Sequence, residues 1–312
     1  MNVVRGIFSG IFSFILVIAL VALGVVITIN HTILNPNFVI SELDKLDAYS
    51  IIADEVRNQV PREEPYTAQS VDETLTELEL WLKEQVATVV NSGYAYLKGE
   101  KELNIVIPLE QVRTSLKENL AQAIRESPPP ELEGLPPSQV EVFISQACAE
   151  IDSQIPPQIE INEALLGPEI VTQLHKAKEI IGYIEIGYKA LIGLAAVLIL
   201  IIALIQWWRV KPVARYIGIS FTTAGALSVV GTIVAAHLDF QAIHLDIPPE
   251  IGAKLPQLIS DCVYPLQIYS VGVLIVGIGL IVLSVKLNLP VPKIYKFFAM
   301  AMDGYKHIKR SS

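Results

Sequence analysis

Charged residues are scarce in this 312-residue sequence: they make up 18% of it, whereas 52% of its residues are hydrophobic. A soluble domain carries about 25% charged residues, and the deficit here is concentrated in four apolar runs. Two cysteines are too few for a disulfide scaffold or for a zinc site with four thiolates. The net charge of −9 argues against nucleic acid as a partner, because nucleic-acid binding needs a basic surface. The lack of charge in the four apolar runs predicts a multi-pass membrane protein and argues against a cytosolic enzyme.

The four apolar runs are long enough to cross a lipid bilayer. The first, residues 6–29, would reach roughly 36 Å as a helix, against about 30 Å for the hydrocarbon core. A cleaved signal peptide is the alternative, but the length of this run and the lack of a small-residue cleavage site favour an uncleaved anchor. The predicted segments are an N-terminal tail with transmembrane helix 1 (1–29), an outer domain (30–184), helix 2 (185–208), a cytoplasmic loop (209–215), helix 3 (216–236), an outer loop (237–265), helix 4 (266–285) and a basic cytoplasmic tail (286–312).

The distribution of basic residues predicts the orientation of these segments. Arg5, the loop 209–215 and the tail 286–312 together carry 10 basic residues and one acidic residue. The rest of the chain carries 13 basic and 31 acidic residues. Short cytoplasmic segments of membrane proteins are enriched in Lys and Arg. We therefore expect a protein of the cell membrane whose two termini are both cytoplasmic. Residues 30–184 and 237–265 are then outside.

The outer segment 30–184 is long enough to fold as an independent domain. Its apolar residues recur mostly at helical spacing, and two short β-branched segments, 103–107 and 158–162, are typical of strands. Helices are predicted at 38–56, from Ser70 or Asp72 to 97, at 109–126 and at 138–151, with a last one that begins near Gly167 and continues into the second span. The predicted fold is therefore mainly α: a four-helix transmembrane bundle with a mostly helical extracytoplasmic domain and room for a small two-stranded element.

Three short motifs resemble those of a family of prokaryotic membrane proteins that have a large outer domain after the first membrane helix. The motifs are Asn35-Pro36-Asn37-Phe38, Leu46-Asp47-Ala48-Tyr49 and Tyr94-Ala95-Tyr96-Leu97-Lys98-Gly99-Glu100. The resemblance covers residues 1 to about 110. It implies a prokaryotic origin and brings no catalytic residues with it.

The apolar runs contain a packing signal and no ionisable residue near their centres. Ion-coupled carriers place charged residues inside their spans, so this lack argues against a transporter or channel. In the third run, small residues recur every four positions, which lets helix backbones approach closely. These residues are Ser220, Ala224, Ser228, Thr232 and Ala236. We expect this helix to be the buried centre of the bundle.

Two further groups of residues are candidates for chemistry on the outer side. His237, Asp239, His244 and Asp246 form two His-Leu-Asp repeats that would bind a metal or respond to pH if the segment turned back on itself. The alternative, which we favour, is a polar membrane interface, because no motif with fixed ligand geometry is present.

The only two cysteines, Cys148 and Cys262, both fall in predicted outer segments. The compartment outside the membrane is oxidising, so it permits disulfides. A disulfide between them and two separate buried thiols are the two alternatives.

Three functions follow from these features. The first is a non-enzymatic membrane protein whose acidic outer domain binds or organises a partner at the cell envelope. The second is a subunit of a membrane transport or export assembly, and the third is an outer-face metal-dependent enzyme. The lack of intramembrane charge argues against the second and the lack of a catalytic motif against the third, so the first is preferred. The bilayer and an envelope or membrane protein are the predicted partners, a homo-oligomer is left open, and no cofactor is expected.

Overall fold

The computed structural model describes residues 2–59, 65–132, 134–236 and 249–286. The chain divides into two compact units. One unit holds the first 31 residues and the chain from Ile184 onward, and we call it the membrane bundle. The other is Thr32–Tyr183, which we call the helical domain. The sequence-based boundaries for the domain were 30 and 184.

The membrane bundle contains four long apolar helices, which makes the chain a multi-pass membrane protein. They are α1 (Asn2–His31), α9 (Val210–Ala236), α10 (Pro249–Lys286) and the second part of α8, a helix that runs over Glu163–Ile205. Each has an 18-residue stretch apolar enough to cross a membrane, with a mean hydropathy between 1.7 and 3.0. The predicted number of spans and the mainly helical fold are confirmed.

Three helix ends in the bundle differ from the predicted segment bounds. The tryptophan pair 207–208 lies outside α8, which ends at Ile205, and the predicted loop 209–215 is mostly the first two turns of α9. Pro212 does not prevent this early start, because the first turn of a helix tolerates proline. The predicted outer loop 237–265 likewise becomes helical at Pro249, where α10 begins.

Helices α9 and α10 pack antiparallel, with their backbones in close contact at glycine positions. A Cβ atom placed on Gly225 would lie 2.7 Å from the backbone nitrogen of Leu274, and one on Gly218 would lie 3.0 Å from that of Ile281. Glycine allows this approach because it has no side chain between the two backbones. Helix α1 also packs on α9, and its Leu16 is fully buried.

In the described residues, the helical domain consists of six α-helices, a short 3-10 helix (Pro130–Leu132), the first part of α8 and one small sheet. Its helices are α2 (Pro36–Lys45), α3 (Ala48–Gln59), α4 (Pro65–Glu77), α5 (Glu79–Leu97), α6 (Glu110–Glu126) and α7 (Pro137–Gln154). The strands β1 (Asn104–Pro108) and β2 (Gln158–Asn162) pair antiparallel, with Ile105 opposite Ile161. The small two-stranded element is therefore confirmed.

Two helices predicted as continuous are each broken once. The predicted helix 38–56 is divided at Asp47, which has φ +56° and accepts a hydrogen bond from Ser50 Oγ at 2.7 Å. A short acidic side chain tolerates this left-handed conformation because it bonds locally. The predicted second helix begins earlier, at Pro65, and is divided at Leu78, whose side chain is buried.

Helix α8 has a sharp irregularity near its beginning. Gly167 has φ +76° and ψ +164°, a conformation open to glycine and costly for other residues. A first helical turn from Glu163 therefore precedes the main helix, which continues from Pro168. This turn places Glu163 against the rest of α8 and against α5.

Candidate functional site

The predicted His-Asp site lies outside the residues that the structure describes, since His237, Asp239, His244 and Asp246 all fall in 237–248. Among the described residues, no group of three or more His, Cys, Asp or Glu side chains is arranged to hold a metal ion. The hypothesis of a metal or pH-responsive site at the two repeats thus stays a prediction.

A polar pocket of about 670 Å³ lies in the helical domain between the end of α5 and the beginning of α8. Its size is in the range of sites for small ligands. Its lining residues come from three distant segments of the chain: Tyr96, Gly99, Glu100, Lys101, Glu102, Leu103, Asn162, Glu163, Ala164, His175 and Lys178. We call it the Glu163 pocket.

The Glu163 carboxylate contacts two other residues that line this pocket. Its Oε1 accepts a hydrogen bond of 3.0 Å from the Tyr96 hydroxyl and lies 3.6 Å from His175 Nε2. The side chains of Glu163 and His175 are 49% and 59% exposed. Both therefore remain in contact with water, where an ion pair contributes little to stability.

Tyr96 anchors the pocket to the core of the domain. It is only 3% exposed and packs with Leu103 and Ile105. Burial raises the pKa of Tyr96, and the neighbouring Glu163 carboxylate raises it further, so the phenol remains a hydrogen-bond donor. The Lys178 ammonium lies 4.9 Å from the centre of the Tyr96 ring, which is within the range of a cation–π interaction.

Gly99 shapes the rim of the pocket beside Lys178. It has φ +75°, and a Cβ atom there would lie 3.4 Å from Lys178 Cε. Its backbone N–H donates to the Tyr96 carbonyl and ends α5. The pocket thus presents carboxylates, an imidazole and ammonium groups around the buried Tyr96, an arrangement suited to binding a polar ligand or side chain.

A second cluster of charges joins α6 to α7. The Asp152 carboxylate lies 2.5 Å from Arg113 Nη2 and 2.9 Å from Lys117 Nζ. Hydrogen bonds from Lys117 and then from Arg113 hold the pKa of Asp152 below its usual value. The apolar contacts of Ile124 and Ile144 lie between the same helices. This cluster is best explained as a set of ion pairs that stabilises the packing of α6 against α7.

The structure does not join Cys148 to Cys262 by a disulfide. Cys148 is half-buried on α7, and its Sγ lies 4.0 Å from the Lys117 carbonyl oxygen. Burial raises the pKa of this thiol, which lowers the fraction present as the reactive thiolate. Cys262 is half-buried on α10 in the membrane bundle. Because the two cysteines belong to different units, the disulfide between them stays a prediction.

Four of the five small residues predicted to form a stripe on α9 occupy buried positions. Ser220, Ala224, Ser228 and Thr232 are each no more than 5% exposed, and Ala236 is the last residue of the helix. Ser220 Oγ donates to the Ser13 carbonyl oxygen of α1 at 3.1 Å. These four residues therefore lie against other helices of the bundle.

Sequence reasoning did not find the Glu163 pocket. Tyr96 and Glu163 are separated by 67 positions, and each lies at the end of a different element. No local spacing relates residues that meet only when β1 and β2 pair. The one available signal was that Tyr96 and Gly99 fall within one of the motifs that carry the family resemblance.

Comparison with known proteins found no match to the chain among family models, curated proteins or solved structures.

Proposed function

We propose that this chain is a non-enzymatic integral membrane protein whose acidic domain binds or organises a positively charged partner at the cell envelope. The observation that carries the proposal is an excess of negative charge that the domain does not neutralise itself. Residues 32–183 contain 26 acidic and 11 basic side chains. Six of those cations already pair with carboxylates of the same domain: Lys45, Arg57, Lys83, Arg113, Lys117 and Arg125.

The remaining carboxylates are mostly exposed and form an acidic surface. A potential of one sign attracts a partner of the opposite sign and speeds its association. The Glu163 pocket adds a recess on this surface, lined by Glu100, Glu102 and Glu163 together with Lys101 and Lys178. Its three carboxylates outnumber its two ammonium groups, which favours an incoming basic group. Binding is favoured over chemistry there, because the pocket is open to water, whereas catalytic groups work best in a water-excluded site.

We further propose that both termini are cytoplasmic and that the helical domain and the segment 237–265 are outside, in a cell membrane. What supports this orientation is the clustering of basic residues at one end of the bundle. The Arg5 guanidinium lies 5.4 Å from the centre of the Trp207 ring, so the beginning of α1 and the α8–α9 turn share that end. The antiparallel pairing of α9 with α10 puts Lys286 near Val213 at the same end.

The orientation is tested by labelling cysteines in intact cells. In a chain with Cys148→Ala and Cys262→Ala, we expect a membrane-impermeant maleimide to modify a cysteine placed at Ser127 and to spare one at Ser311. Permeabilised cells provide the control, since both positions should then react. Labelling at Ser311 and protection at Ser127 in intact cells would refute the orientation.

Partner binding is tested by photo-crosslinking in native membranes. A photoreactive residue at Ala164, on the wall of the pocket, should yield an adduct of one discrete mass. The variant Glu100→Gln/Glu102→Gln should lose this adduct, and raised salt should weaken it, since exposed charges are screened. The matched variant Glu118→Gln/Glu126→Gln removes two acids from α6 and should keep it. An adduct unaffected by either variant and by salt would refute a charge-driven interaction.

A further inference from the structure

The turn between α8 and α9 has an unusual backbone for its sequence. The N–H of Trp208 donates to the Ala203 carbonyl at 2.9 Å, and that of Trp207 donates to the Leu204 carbonyl at 3.0 Å. This pair of bonds is a Schellman motif, in which the position of Trp207 is usually occupied by glycine. Both tryptophans have a positive φ, of +53° and +55°. A positive φ is costly for residues other than glycine, so the presence of two tryptophans in this turn is unusual.

The beginning of α1 holds this turn in place. Gln206 Nε2 donates to Ser9 Oγ at 2.8 Å, and Ser9 is fully buried. The Arg5 guanidinium stacks over the Trp207 ring. Despite these contacts, Trp207 and Trp208 remain 54% and 60% exposed. The beginning of α1 thus contacts the turn and the Trp207 ring, and both indoles remain exposed.

Three further cations lie next to the two tryptophans in the sequence, and none of them is paired with a carboxylate among the described residues. Arg209, Lys211 and Arg215 are exposed and make no ion pair with any residue that the structure describes. Residues 1–41, 186–236 and 262–286 contain no Asp or Glu at all. The three cations are therefore available to an anion that is not part of these segments.

We propose that the α8–α9 turn and the beginning of α1 bind the headgroup of an anionic phospholipid. Arg209, Lys211 and Arg215 bind its phosphate, and the indoles of Trp207 and Trp208 lie at the level of the headgroups. Tryptophan is enriched at that level, and clustered Lys and Arg residues beside a membrane helix attract anionic lipids. A free phosphate would satisfy the cations but would make no use of the exposed indoles. This inference does not depend on the proposed partner of the helical domain.

The test is tryptophan quenching by brominated lipids in nanodiscs that contain the full chain. Trp81→Phe removes the third tryptophan, so the signal then comes from Trp207 and Trp208 alone. We expect brominated phosphatidylglycerol to quench at a much lower mole fraction than brominated phosphatidylcholine. Adding Arg209→Gln, Lys211→Gln and Arg215→Gln should weaken the apparent affinity for phosphatidylglycerol roughly fivefold per cation and leave phosphatidylcholine quenching unchanged.

The matched control removes three exposed cations from the helical domain, Lys98→Gln, Lys101→Gln and Lys176→Gln, and should behave like the parent. Equal quenching by the two lipids would overturn the proposal, because the indoles would then contact bulk lipid only. Displacement of phosphatidylglycerol by millimolar inorganic phosphate would also overturn it and would identify a phosphate site. Melting temperatures in detergent show whether the triple variant is folded, and native mass spectrometry of a folded variant counts retained phosphatidylglycerol independently.

Discussion

Gly277 of α10 is expected to tolerate no side chain, because it faces the backbone of α9. A Cβ atom at this position would lie 2.6 Å from Thr222 Oγ1 and 2.9 Å from the carbonyl carbon of Phe221, and it would also collide with the Thr222 nitrogen. Ordinary van der Waals contact begins near 3.4 Å. The Gly277→Ala variant must therefore move the two helices apart by roughly half an ångström or more.

The cost of that movement follows from the packing between α9 and α10. A gap of about 0.5–1 Å loses a quarter to a half of the dispersion energy of the contacts it opens. Overpacking a close-packed interface with one extra methyl group typically costs about 1–3 kcal/mol. The glycine contacts at Gly218 and Gly225 lie along the same interface, so the separation is not confined to one position. We expect the free energy of unfolding to fall by about 2 kcal/mol.

Gly279 provides a matched control two residues further along α10. A Cβ atom there would have nothing within 4 Å. Gly279→Ala should therefore be neutral or stabilise the helix by up to about 1 kcal/mol, since alanine has the higher helix propensity. Both variants are compared with the parent by thermal unfolding of the full chain in one detergent, followed by intrinsic fluorescence. Equal melting temperatures of the Gly277→Ala and Gly279→Ala proteins would refute the close packing of α9 on α10.

Three further predictions concern polar and sulfur groups. Asn119 is 6% exposed and donates to Thr74 Oγ1 at 3.0 Å, so Asn119→Ala should lower the free energy of unfolding by about 1–3 kcal/mol in denaturant titrations; an unchanged midpoint would contradict this. Because the pKa of Asp152 is lowered in the folded domain, its stabilising contribution should be complete above the unfolded pKa of about 3.9 and be lost as the pH falls toward the folded value. The free energy of unfolding of Asp152→Asn, measured by denaturant titration at several acid pH values, should accordingly depend less on pH than that of the parent, and identical profiles would exclude this role. If Cys148 and Cys262 are bridged in cells, reductant should change the mobility of the protein on non-reducing gels, and recovery of both as thiols would exclude the bridge.

Local features of the sequence were sufficient for the general architecture. Hydrophobicity and periodicity are properties of a few neighbouring residues, so the four apolar helices were evident without knowledge of their contacts. The strand at 158–162 was predicted at its observed bounds for the same reason, since proline precedes it and its apolar residues alternate. Asp47 and Leu78, in contrast, break helices whose apolar pattern is continuous. Their conformations depend on a local side-chain bond and on burial of one leucine, which the pattern does not contain.

The sequence by itself determined which segments are apolar, which are helical and where the basic residues lie, because each of these follows from composition over short windows. Only the tertiary structure decided which glycines are essential: Gly277 and Gly279 are alike in sequence, yet one faces the backbone of α9 and the other faces open space. It also decided that Tyr96, Glu163 and Lys178 form a single pocket, and that Arg5 stacks on Trp207. These contacts join residues far apart in the chain, and no local pattern records such a distance.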